Sequence, residues 1–171
     1  MVLQMPFPLF SFDDSRFRGA AAAVALVLAP AAARAESGVF TGFAGSWAGG
    51  GTITIADSGT ERIRCRGTNT VEANGNALRQ VLRCASDSYR FELTSNVTAS
   101  GTSVRGSWSE ATRNVNGTVE GTIANGQVSA LVTANGYAAT FSMTSRGNRQ
   151  TVNISSKGEV RGVNVSLARG S

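Results

Sequence analysis

The sequence predicts an all-β domain, an antiparallel up-and-down meander of about ten strands curled into a closed or partly open barrel. Past residue 36, Gly or Asn-Gly turn signals recur every dozen or so residues, and the segments between them alternate apolar and polar positions. No amphipathic helical stretch interrupts that pattern. The turns also check one another. Opposed residues of an antiparallel hairpin share a constant index sum and face the same side, so each turn predicts which apolar side chains meet.

An export leader comes first. Arg16 and Arg18 precede an apolar run from Gly19 to Ala29, Pro30 breaks it, and Ala33-Arg34-Ala35 offers the small residues of a cleavage site. The run is shorter than the roughly 20 residues that span a bilayer, so it reads as a secretory signal rather than a transmembrane segment. Cleavage after Ala35 leaves residues 36–171 as one all-β domain. Removing the leader takes three arginines and two aspartates, leaving 13 cations against 9 anions, a net charge of +4. Lys157 is the only lysine. With so much alanine, this arginine bias points to a high-GC, Gram-negative genome and to the periplasm or the medium as destination.

The strands follow in order, marked by Trp47, Ile63, Leu82, Phe91, Trp108, Val119, Val132, Phe141, Val152 and Val165. A three-residue turn over Ser58-Gly59-Thr60 places Ile53 opposite Cys65. Asn74-Gly75 tolerates positive φ at both positions and places Cys65 opposite Cys84 and Val71 opposite Leu78. An even cysteine pair in an exported chain reads as a disulfide. Closing the 18 residues between them is worth about 3 kcal/mol on the chain-entropy account. Asp87-Ser88 opposes Cys84 to Phe91 and Leu82 to Leu93. Ser100-Gly101 opposes Val97 to Val104 and Leu93 to Trp108. Asn116-Gly117 opposes Asn114 to Val119, and Asn125-Gly126 opposes Ile123 to Val128. Asn135-Gly136 opposes Ala130 to Phe141 and Val128 to Met143. Gly147-Asn148 opposes Phe141 to Ile154 and Met143 to Val152, and Gly158-Glu159 opposes Val163 to Ile154.

Short connections keep sequence neighbours adjacent in space. A meander with one apolar face buries it either by closing into a barrel or by folding over as a β-sandwich. Closure removes exposed edges, and inward Gly49, Gly51, Gly106 and Gly121 suit a curving sheet. An outer-membrane barrel is excluded, because the outward positions carry Arg62, Arg64, Arg66, Arg83, Arg90 and Glu92 rather than an apolar belt.

The composition excludes many chemistries. Without histidine there is no Ser-His-Asp or Cys-His triad and no imidazole base. Both cysteines are committed to a bridge, and no phosphate loop or dinucleotide fingerprint occurs. The reading is therefore a protein that is not an enzyme, with no cofactor and no metal site. Glu110 is the one acid placed inward. With a raised pKa it would be a general acid, but no second inward carboxylate completes a pair. The alternative places Glu110 at the barrel mouth or turned to solvent.

Two features point to binding. Arg62, Arg64, Arg66, Arg79, Arg83 and Arg90 lie on the exterior of three successive strands, with Arg66 opposite Arg83. Like charges in that position are relieved by an anion, such as a phosphate, an acidic glycan or a lipid headgroup. The other reading is a solvated exterior balanced by Glu61, Asp87 and Glu92. Nucleic acid is not expected, since no aromatic series interleaves the arginines. Inside, bulky Trp47, Phe91, Trp108, Phe141 and Met143 alternate with small Gly49, Gly106, Gly121, Ala130 and Ala139. That mixture leaves either a ligand cavity or a dry core.

Gly45-Ser46-Trp47 at the start of the first strand resembles the Gly-x-Trp opening of the calycin superfamily, which includes lipocalins, fatty-acid-binding proteins and avidins. The resemblance covers three residues, and Gly106-Ser107-Trp108 repeats it. It implies an eight- or ten-stranded barrel carrying a small or apolar ligand. It also implies a tryptophan plugging one end under an arginine of the last strand, a role open to Arg161 or Arg169. The expected function is an exported, non-catalytic binding barrel, with a small hydrophobic ligand inside or an anionic envelope component outside. The alternative is a structural or inhibitory interaction module without a pocket.

Overall fold

The computed structural model describes residues 37–170, and the leader read over residues 1–35 lies outside them. Ten antiparallel strands close into one barrel: β1 (Gly45–Ile55), β2 (Gly59–Glu72), β3 (Ala77–Ala85), β4 (Arg90–Ser100), β5 (Ser103–Glu110), β6 (Val115–Ala124), β7 (Gln127–Ala134), β8 (Tyr137–Arg146), β9 (Arg149–Ser156) and β10 (Val160–Arg169). Each strand pairs with its sequence neighbours, and β1 pairs with β10 to complete the circle. Closure is thus the outcome, and the sandwich is not. No α-helix occurs among the described residues, and no helix is long and apolar enough to cross a membrane.

Period-two alternation puts one side of every strand inward. In β2, Ile63, Cys65, Gly67 and Asn69 are buried while Arg62, Arg64, Arg66 and Thr68 between them are exposed. Cys65 and Cys84 are directly opposed and joined by a disulfide. The registers expected at Asn74-Gly75, Asp87-Ser88, Asn125-Gly126, Asn135-Gly136, Gly147-Asn148 and Gly158-Glu159 are those observed.

Three hairpins differ from expectation. The first turn is Ala56-Asp57-Ser58, so Ile53 opposes Glu61 and Gly49 opposes Cys65. This register keeps Ile55 in the strand and buried, and it sets a residue without a side chain beside the disulfide. Between β4 and β5 the turn is Gly101-Thr102, so Val97 opposes Gly106 and Leu93 opposes Glu110. Gly101, with φ of +58°, takes the first position of a two-residue turn. Between β5 and β6 the turn is not at Asn116-Gly117, which lie within β6, but over residues 111–114. Glu110 organises that turn, and Asn114 supplies its positive φ of 53°. All three displacements are by an even number of residues, so every inward face is preserved.

Glycine marks where strands approach most closely. A Cβ at Gly49 or Gly51 would collide with β10 backbone, at Gly106 with β4 backbone, and at Gly121 with β7 backbone. One end of the barrel is sealed by residues 37–44. Phe40 and Phe43 are buried there with their rings 5.9 Å apart, and Phe40 N–H donates to Gly75 O at 2.9 Å. Trp47 Nε1 and Asn69 Nδ2 each donate to Phe43 O at 3.0 Å. Of the two arginines open to the role, Arg169 lies over Trp47, its guanidinium carbon 4.3 Å from the ring centroid. Its nitrogens donate to Ala44 O and, at 3.1 Å, to Gly42 O. Arg161 is at the other end, donating to Lys157 O.

Candidate ligand-binding site

With one end plugged, the interior is reached from the other, where β5 ends and β8 begins. Midway along the barrel lies a space of about 90 Å³, walled by Leu78, Leu93, Val119, Phe141, Met143 and Ile154 among others, with no charged side chain in its lining. It adjoins a wider vestibule of about 240 Å³ at the open end, and Leu93, Trp108, Tyr137 and Ile154 line both. Trp108 is fixed by a hydrogen bond from Nε1 to Thr133 O at 3.2 Å and by Tyr137, whose ring is 5.9 Å away. Gly117 lies beneath this contact, where a Cβ would collide first with the Thr133 backbone of β7 and also come within 2.8 Å of Trp108 Nε1. This is why a glycine stands inside β6 where the sequence resembles a turn.

The vestibule is charged at its rim. Glu110 is 7% exposed. Its carboxylate accepts from the N–H groups of Glu92 (3.1 Å), Thr112 (3.0 Å) and Arg113 (2.8 Å) and from the Thr112 hydroxyl. Burial alone would raise its pKa, but these hydrogen bonds, Thr112 first, outweigh burial and hold it below the ordinary carboxylate value. The carboxylate is thus held ionised at neutral pH with its lone pairs committed to the 111–114 turn, opposite in direction to the raised pKa of a general acid. Arg113 lies 3.7 Å from Glu110 Oε2 and 3.9 Å from Glu159 Oε2, with its guanidinium 4.1 Å from the Tyr89 ring centroid. Burial pushes the Tyr89 hydroxyl upward, so it remains protonated at neutral pH.

The side chains expected inside take these positions: Trp47 (buried) in the seal, Phe91 (buried) at the vestibule, and Trp108, Phe141 and Met143 around the apolar space. Of the polar side chains that escaped the sequence reading, three share one level. Asn69 opposes Gln80, and Gln80 opposes Ser95, so one inward row crosses β2, β3 and β4. Asn69 is 3% exposed and Gln80 7%. The index sums that paired the cysteines and paired Cys84 with Phe91 also predict this row.

Outside, the arginines divide. Arg64, Arg66, Arg83 and Arg90 surround one open groove of about 940 Å³, while Arg62 and Arg79 lie beyond its lining. Arg66 and Arg83 are directly opposed across β2 and β3. Arg83 is paired with Glu92 at 2.7 Å, an ion pair that raises the arginine pKa and lowers that of Glu92. Arg64 and Arg66 have no carboxylate within ion-pair distance among the described residues. No group of three potential metal ligands occurs among the described residues.

No family model matches the chain, and no curated protein matches it significantly. Among solved structures, the barrel is similar to the crystal structure of Rv2717c from M. tuberculosis, with a TM-score of 0.58 and 10% sequence identity over 77% of this chain and 94% of that one. At that identity the likeness is one of fold.

Proposed function

We propose that this protein is an exported, non-catalytic binding barrel that holds a small hydrophobic molecule in its interior. The observation that carries the reading is an apolar space without charged lining that shares walls with a vestibule at one end, while the other end is sealed by Phe40, Phe43 and Trp47. A one-ended cavity of this kind admits a ligand without disturbing the ladder and shields it from water on entry. The rim favours binding over reaction, because its one buried carboxylate is consumed by a turn and no histidine or free cysteine accompanies it. The disulfide supports an oxidising destination such as the periplasm or the medium.

Native mass spectrometry of protein purified from its own host tests this directly. The expected result is a co-purifying small molecule that organic extraction removes, accompanied by a change in Trp108 emission. Reproducible absence of any bound mass, with no response to apolar probes, would instead favour an interaction module that works through its loops.

A second reading rests on the exterior groove. Arg64 and Arg66, neither in an ion pair among the described residues, present two guanidinium groups beside the opposed Arg83, a layout suited to forked contacts with phosphate or acidic glycan.

A further inference from the structure

The interior is largely apolar, and several of its few polar side chains are underused. Gln80 projects into the apolar space, and its only side-chain hydrogen bond runs from Nε2 to Met143 Sδ at 3.2 Å, with a weak sulfur acceptor. No donor reaches Gln80 Oε1 among the described residues. Its neighbours in the row are in the same condition. Ser95 lines the same space with no side-chain partner, and Asn69 Oδ1 is buried with none. Two residue pairs deeper than Met143 and Val152, Gln150 is 1% exposed and both its amide atoms are unpartnered among the described residues. Buried polar groups in a native protein are almost always satisfied, by the chain, by water or by a bound molecule.

We infer that Gln80 and Ser95, the members of this row that line the space, are a recognition element for a neutral hydrogen-bonding group on an otherwise apolar ligand, and that this group is a donor–acceptor pair such as a lactam or secondary amide. Two arguments select that chemistry. The groups with spare capacity that line the space are the Gln80 amide, whose Oε1 accepts, and the Ser95 hydroxyl, which donates or accepts, so a donor–acceptor pair on the occupant matches both. A charged head is disfavoured because no charged side chain lines this space, and an unpaired charge there would be desolvated without a counter-ion. The space of about 90 Å³ at this level admits a small ring, with any further apolar body extending into the vestibule.

This inference rests on the interior-binding reading, and the experiment separates the two. Calorimetric titration of the purified protein with oxindole, 1-methyloxindole and indane compares a lactam N–H, the same lactam without its donor, and the bare hydrocarbon. The expected result is a preference of about tenfold for oxindole over 1-methyloxindole, the scale of one well-made hydrogen bond. That preference collapses to near parity in Gln80→Leu, while indane binds the variant at least as tightly as it binds the original. Comparing the ratio between the two proteins cancels the bulk of the added methyl. Retained indane binding shows that the variant is folded, and Gln80→Met serves where leucine disturbs packing. If indane binds but the lactam ratio is near unity, or is unchanged by the substitution, water satisfies the row and the inference falls alone. If no probe binds, the inference and the interior-binding reading fall together.

Discussion

At Glu110, burial and hydrogen bonding pull the carboxyl in opposite directions, and hydrogen bonding wins. The sign of the pH effect follows. A carboxyl with a folded pKa below its unfolded value adds stability that is fully present above about pH 4.3 and disappears as pH falls through the folded value. Glu110→Gln is therefore expected to lower stability by about 1–3 kcal/mol at neutral pH, through lost charge-assisted bonds to the 111–114 turn. The gap in melting temperature should narrow as the pH drops below about 4, as followed by circular dichroism. An equal gap at pH 3 and pH 7 would mean that the carboxylate charge is immaterial. That Glu110 points inward was legible from strand parity alone. Its role was not, because a turn at Asn116-Gly117 agrees with local propensity, and only the tertiary demand for a bare Gly117 against the β7 backbone and Trp108 overrides it. The Asn69–Gln80–Ser95 row was hidden for another reason. Hydrophobic alternation draws attention to apolar positions, and polar side chains on the inward face emerge only when each register is followed through every residue.

At the level of the hairpin, β2 and β3 show two reinforcing constraints. The register set by the Asn74-Gly75 connection brings Cys65 and Cys84 face to face, and the bond between them holds that register. Replacing both cysteines by alanine is expected to cost about 3 kcal/mol, read as a lower urea midpoint with a somewhat steeper slope, because the unlinked chain unfolds to a more expanded state. A loss below about 1 kcal/mol would show that the strands already restrict the unfolded chain without the bond. On the outward side of the same hairpin, the triple substitution Arg64→Ser, Arg66→Ser and Arg83→Ser tests the anionic-partner reading. Retention on heparin or on lipopolysaccharide should fall to that expected from net charge alone, with the melting temperature nearly unchanged. Unaltered retention rules the face out. The register here was readable because a strong turn and a cysteine pair agreed. The first hairpin was misjudged by four residues because Ser58-Gly59-Thr60 resembles a turn, whereas burial of Ile55 keeps β1 going and Gly59 opens β2 at a φ of +78°.

For the molecule as a whole, ten strands in sequence order leave no choice of topology once the first meets the last. The meander was legible in the periodic turns, whereas closure was only favoured, because the sequence does not state which face of β1 meets β10. The structure supplies that answer through the pairing of Trp47 with Arg169 and of Gly49 and Gly51 with Leu167 and Val165, where only glycine permits so close an approach. That seam has a kinetic consequence. The nine hairpins can form as the chain emerges, each at low entropic cost, but the last ladder joins segments separated by more than a hundred residues and must wait for both. Until then two raw strand edges face the surroundings, so chains that have not yet closed pass through a window in which they can stick to one another or to a chaperone.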